Sequence, residues 1–150
     1  MSILQLDHVS KRFGGLLAVN QVSFSVDEGN VVGLIGPNGA GKTTVFNVIT
    51  GNYKADGGDI LFLGESIKRR PTHRIVQMGI ARTFQTIRLF QNMSVLENVL
   101  AGCHCRMHAG LFSCMFHTPA QKKEEQGALR QSLDALAFVG LEKDAGQLAK

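Results

Sequence analysis

Tryptophan is absent from this chain, tyrosine occurs once, and aromatic residues make up only 7% of it. A nucleic-acid surface interleaves basic side chains with aromatic ones on which bases stack. Here the only three-residue basic run, Lys68-Arg69-Arg70, has no aromatic interleaving and the net charge is a modest +4. That run reads as a solvated edge, and no nucleic-acid partner is expected. Cysteine is scarce and odd in number, at three. Without a secretion signal this argues against a disulfide framework. The apolar stretch Ile3 to Leu6 is too short and too acidic-flanked for a leader. No uninterrupted apolar run approaches membrane-spanning length. The default expectation is a cytosolic protein. At 150 residues and 44% hydrophobic composition, the chain can bury one respectable core.

What is present is concentrated in Gly36-Pro37-Asn38-Gly39-Ala40-Gly41-Lys42-Thr43. This stretch matches the phosphate-binding pattern G-x-x-x-x-G-K-[ST] at every fixed position. The apolar run Val31 to Ile35 leads into it as an expected buried strand, and a helical pattern follows from Lys42 to Thr50. Strand, loop and helix are the context the pattern requires. The chemistry follows from the residue types. Glycines at 36, 39 and 41 are expected to let the backbone take positive φ and curl around phosphate without a Cβ clash. The loop amides then form an anion-binding nest, and the helix adds the positive end of its dipole. Lys42 can reach the β- and γ-phosphates, and the Thr43 hydroxyl can ligate Mg²⁺. Thr44 offers a second hydroxyl. A nucleoside triphosphate with magnesium is the ligand these residues suit.

The rest of the chain frames that loop. Ile3 to Phe13 is strand-like although its alternation is poor. Val22, Phe24 and Val26 alternate with Ser23, Ser25 and Asp27 as a half-buried strand. Asp27 to Asn30 and Ala55 to Gly58 read as turns. Asp59 to Leu63 and Ile80 to Phe84 read as strands, and Pro71 to Met78 as a short helix. Ser94-Val95-Leu96-Glu97 has the form of a capping box opening a helix that runs to about Cys105. A last helix spans Pro119 to Val139, with Leu129, Leu133, Leu136 and Ala137 expected on one face and Gly140 as its C-terminal cap. The expected organisation is a β-rich nucleotide core over residues 1–92, followed by a mostly helical piece over 93–150.

About 35 residues of β-type sequence before the phosphate loop set this chain apart from small nucleotide kinases and Ras-like GTPases. In that respect it resembles the ATPase subunits of ABC transporters. Further residues carry the resemblance. Phe13 stands where that family places an aromatic side chain that stacks on adenine. Ala81-Arg82-Thr83-Phe84-Gln85 looks like its Q-loop. Ser94 to Val99, Gly57-Gly58-Asp59-Ile60 and Leu63-Gly64 match its texture. The stretch from Ala101 to Gln126 looks like an insertion found in the subgroup that powers branched-chain amino acid import, and Ile80 to Gln85 with Leu89-Phe90 shares that subgroup's character. The fold so implied is α/β: a P-loop NTPase core with an N-terminal antiparallel β-subdomain and the start of a helical subdomain, incomplete. The implied cofactors are ATP and Mg²⁺. Phe13, Gly36, Pro37, Asn38, Gly39, Ala40, Gly41, Lys42, Thr43 and Thr44 would bind the nucleotide. Thr43 and Gln85 would serve the metal, and Lys42 and Gln85 would be catalytic. The implied partners are transmembrane permease subunits, a second ATP-binding subunit and, indirectly, a substrate-binding protein, at the cytoplasmic face of the membrane.

The sequence also departs from that family. No loop of the type Leu-Ser-Gly-Gly-Gln occurs, no aliphatic strand ending in Asp-Glu follows Gln85, and no later switch histidine is present. Val26-Asp27-Glu28 superficially resembles the acidic ending, but it precedes the phosphate loop and reads as a hairpin turn. His104, His108 and His117 lie before the place where the signature belongs. The 150 residues are therefore expected to be the N-terminal part of a longer ATPase subunit, marginally stable alone and unable to hydrolyse ATP. The alternatives are a truncated, non-hydrolysing nucleotide-binding module and an ABC ATPase without a transporter. Two weaker signals remain. Cys103, His104, Cys105, His108 and Cys114 do not have zinc-site spacing, and no metal is expected there. Leu111, Phe112, Met115 and Phe116 form an apolar cluster that suits either local packing or a membrane-embedded partner.

Overall fold

The computed structural model describes residues 1–84, 89–103 and 119–149. The chain divides into two compact units, Met1–Arg82 and Thr83–Lys150.

In the first unit, strands β1 (Ser2–Phe13) and β2 (Leu16–Asp27) form a long hairpin. Phe13 pairs with Leu16 across a two-residue Gly14-Gly15 loop, and Gly14 sits at φ 57°. A left-handed first loop residue gives the primed turn that matches the strands' own twist. β1 is flanked on its other side by β3 (Gly57–Phe62), which pairs with the two-residue β4 (Glu65–Ser66). The sheet order is β2-β1-β3-β4, with each of the three pairings antiparallel. Val22, Phe24 and Val26 are half-buried and their neighbours exposed, so the alternation read from the sequence holds. The poor alternation of β1 has a structural cause. His8 and Gln21 take positive φ (48° and 45°), and the register of β1 shifts against both neighbours around them. An inserted bulge residue resets the two-residue period.

Helix α1 (Lys42–Ile49) and helix α2 (Thr72–Gln77) complete this unit. Pro71 is the N-cap of α2, one position ahead of its first turn. Leu6, Val9, Val19, Ile60 and Phe62 of the sheet, Val45, Val48 and Ile49 of α1, Ile67, and Ile75 of α2 form one buried cluster. Each such aliphatic side chain contributes about 1.5–3 kcal/mol on burial, so this cluster anchors the phosphate-loop helix to the sheet.

Two expected strands are not found. Val31 to Ile35 and Ile80 to Phe84 carry no strand pairing. Val31 is 100% exposed and Ile35 94%. A strand exists only through a ladder with a neighbour, and among the described residues neither segment has one. Ile80 instead packs against the first unit's core.

In the second unit, helix α3 (Val95–Cys103) opens on the expected capping box. The Ser94 N–H donates to Glu97 Oε2 at 2.7 Å and the Glu97 N–H to Ser94 Oγ at 3.2 Å. Helix α4 (Pro119–Phe138) ends at Gly140, which takes φ 74°. The Gly140 N–H donates to the Ala137 carbonyl and the Leu141 N–H to that of Leu136, a Schellman motif. The buried face of α4 differs from the expected one. Ala128, Ser132 and Leu136 are buried, whereas Leu129, Leu133 and Ala137 are exposed. Residues four apart share this face, and the small side chains of Ala128 and Ser132 fit a close neighbour: Ser132 Oγ lies 3.6 Å from Cys103 Sγ on α3. The segment after α4 runs back past the start of α3, where Val95 N–H donates to the Gln147 carbonyl and Ala149 N–H to that of Met93.

Candidate functional site

The phosphate loop links the exposed Val31–Ile35 segment to α1. Gly41 is the N-cap of α1, at φ 84°. A Cβ there would stand 2.3 Å from the Ala18 carbonyl oxygen of β2. Only glycine lets the loop take this left-handed turn while lying against β2. Gly39 also takes φ 84°. Gly36, expected to do the same, is not among the positive-φ residues; its constraint is steric, with a Cβ there 3.3 Å from that of Ala40. Pro37 accepts a backbone hydrogen bond from Ala40 at 3.2 Å, closing the loop's first turn.

The Lys42 ammonium donates to the carbonyls of Gly36 and Pro37, at 2.6 and 2.7 Å. The lysine thus folds over its own loop, its charge held where the loop curls. Neutral carbonyls are weaker partners for an ammonium than an anion is, so an arriving phosphate can displace them.

Asn38, Gly39, Ala40, Gly41, Lys42, Thr43 and Thr44 line one cavity of about 560 Å³. Its opposite wall is the tip of the β1–β2 hairpin: Phe13, Leu16, Leu17 and Ala18. The expected aromatic platform and the expected phosphate loop, 23 residues or more apart in sequence, therefore face one space. That volume lies in the range of small-molecule and cofactor sites. The donor set also fits the implied ligands: a positive helix end, loop amides, an ammonium and two hydroxyls for phosphate and Mg²⁺.

Phe13 is held by neighbours that sequence reasoning missed. Tyr53 meets it at 5.1 Å between ring centroids with an interplanar angle of 76°. Lys11 Nζ lies 5.4 Å from its ring centroid and 3.1 Å from Asp56 Oδ1. Asp56 Oδ2 accepts a hydrogen bond from the Arg12 N–H at 2.6 Å. That amide bond, then the Lys11 contact, holds the Asp56 carboxyl below its ordinary range. The single tyrosine of an aromatic-poor chain was the available signal, but its separation of 40 positions from Phe13 hid the pairing.

Of the segment that resembles a Q-loop in sequence, Arg82 donates to Asn47 Oδ1 on α1 at 2.5 Å and lies over the Phe46 ring. Gln85 lies outside the described residues, as do His104, Cys105, His108, Leu111, Phe112, Cys114, Met115, Phe116 and His117. Asp27 and Glu28 sit at the turn after β2, where the Asn30 N–H donates to the Asp27 carbonyl. The acidic look-alike closes β2 and enters a turn; with no strand over 31–35 to follow it, this is not the hairpin turn expected.

Residues 19–149 match the ABC transporter family. The chain belongs to that family. It is 45% identical over 147 residues to the high-affinity branched-chain amino acid transport ATP-binding protein LivG of Salmonella typhimurium, covering 98% of this chain and 58% of that one. To the corresponding BraF of Pseudomonas aeruginosa it is 44% identical, with the same coverage. Among solved structures, a nucleotide-free ATP-binding cassette from an ABC transporter superposes with a TM-score of 0.78 at 37% identity, covering 99% of this chain and 58% of that one. The ADP conformation of such a cassette gives a TM-score of 0.75 at 37% identity, covering 99% and 59%. This ABC-family chain thus spans a little under three-fifths of the length of these relatives, and its fold is that of an ABC ATPase cassette in part.

Proposed function

We propose that this chain provides the nucleotide-binding part of an ABC importer's ATPase subunit, for branched-chain amino acids. The observation that carries the reading is the shared cavity. Asn38 to Thr44 and Phe13 line the same space, so a triphosphate held by the loop would leave its base within reach of Phe13. Lys42 neutralises phosphate charge, the Thr43 hydroxyl holds Mg²⁺, Thr44 assists, and Phe13 stacks on the adenine. Gln85 serves the metal side and relays toward a membrane partner. Bound Mg²⁺ supplies charge neutralisation during phosphoryl transfer.

In the complete subunit, ATP would be sandwiched between two ATP-binding subunits on transmembrane permease subunits at the cytoplasmic face, with a substrate-binding protein delivering the cargo. Relatives that bear branched-chain amino acid names support that cargo. Hydrolysis needs an aliphatic strand ending in an acidic pair beyond Gln85 and a signature loop, neither of which occurs in these 150 residues. Turnover by the 150-residue chain alone is therefore expected to be absent, and a phosphate-release assay checks it.

Lys42→Ala tests the site. Each charge-assisted hydrogen bond contributes roughly 1.5–3 kcal/mol, so ATP affinity is expected to fall by at least about tenfold. Unchanged affinity in a calorimetric titration would refute the assignment.

A further inference from the structure

The cavity lining includes Phe13 but neither Tyr53 nor Lys11, although both touch its ring. They therefore contact it from outside the space the nucleotide would occupy. Each is itself secured. The Tyr53 N–H donates to the Asn47 carbonyl of α1 at 3.0 Å, which ties the tyrosine to the phosphate-loop helix. Lys11 is bonded to Asp56, whose N–H in turn donates to the Ser10 carbonyl of β1 at 2.9 Å. Phe13 itself is 41% exposed and stands at the end of a strand. An exposed ring there would lose rotamer freedom on stacking with a base, and neighbours that fix it beforehand remove part of that loss.

We propose that Tyr53 and Lys11 are positioning residues for base recognition: they fix the Phe13 ring from behind so that its cavity side is ready for a purine. The inference rests on the nucleotide reading above and adds two residues that the phosphate loop does not require. Edge-to-face packing from Tyr53 sets the ring plane. The Lys11 ammonium attracts the ring's π-density and holds it against rotation. Tyr53 lies beyond the end of α1 and is tied back to it by the bond to the Asn47 carbonyl, so the helix that presents Lys42 to phosphate also braces the base platform on β1.

The test separates base from phosphate. Binding of Mg-ATP and of Mg-tripolyphosphate, which has no base, is measured by calorimetry on the full-length protein and on Tyr53→Leu, Lys11→Met and Tyr53→Phe. Tyr53→Leu and Lys11→Met are each expected to weaken ATP roughly two- to tenfold while tripolyphosphate is unchanged. Tyr53→Phe keeps the ring edge and is expected to retain the wild-type ratio. Parallel losses for both ligands, or no loss of ATP affinity, would overturn the positioning role and leave the nucleotide reading standing. Should Tyr53→Leu fail to fold, seen as a missing thermal transition, Lys11→Met distinguishes the same two outcomes. A wild-type protein that binds tripolyphosphate as tightly as ATP would overturn the Phe13 assignment and this inference with it.

Discussion

Gly41 shows how little latitude a single residue can have. Its positive φ and its contact with the Ala18 carbonyl leave no room for a methyl group. Gly41→Ala is expected to force the phosphate loop off β2, lowering stability by more than about 1 kcal/mol and ATP affinity with it. Thermal unfolding and nucleotide titration check the two effects separately. Asp56 and Glu97 carry depressed carboxyls, each because a backbone N–H donates to it. A carboxyl depressed in the fold stabilises it above the ordinary carboxylate range, and that support is lost as pH falls through the lowered value. Stability is therefore expected to decline below about pH 4. Glu97→Gln should flatten part of that decline, as read from melting temperatures across an acid series.

Among the elements, those governed by local chemistry are legible in the sequence and those governed by partners are not. The left-handed glycines 39 and 41, the capping box of α3, the C-terminal cap of α4 and the alternation of β2 depend on residues a few positions apart, and each takes the expected form, whereas Gly36 does not take the expected positive φ. Ser94→Ala removes one arm of the capping box and is expected to cost about 1 kcal/mol, a loss that denaturant unfolding would register. By contrast, Val31 to Ile35 reads as a strand from its apolar run, yet strand formation requires a neighbour that no local pattern specifies. The α4 face departs from its sequence pattern for a related reason. Leucines suggest a buried stripe, but the neighbour at Cys103 favours the small side chains of Ala128 and Ser132. The bulges at His8 and Gln21 are visible in the sequence only as irregular alternation. Asn98 falls within the Ser94–Val99 stretch that resembles the family, yet nothing local in the sequence announces its bonds to the Phe90, Met93 and Ser94 carbonyls.

For the molecule as a whole, the first unit has a continuous core but presents Val31, Val32 and Ile35 to solvent beside the phosphate loop. An exposed run of β-forming apolar residues is a template for pairing with another chain. The 150-residue chain expressed alone is expected to self-associate through this segment. Replacing Val31 and Ile35 with threonine should reduce that association, measured by light scattering at equal concentration. Unchanged scattering would place the association elsewhere. Family membership is readable because the motifs that define it are short and local, whereas the contact of Tyr53 with Phe13 depends on two distant segments meeting.

The Gly14-Gly15 turn has one further consequence. It fixes which residue of the hairpin tip lies beside the phosphate loop, since Phe13 faces Leu16 directly across it. Exchanging Arg12 and Phe13 would put the arginine directly across from Leu16 and turn the ring to the other side of the strand, because neighbouring strand residues point to opposite faces. A cationic side chain would then meet the base position, and the preference for ATP over bare tripolyphosphate should vanish while phosphate binding persists. Ligand affinity in this protein would thus serve as a ruler for backbone alignment, sensitive to a displacement of about 3.3 Å.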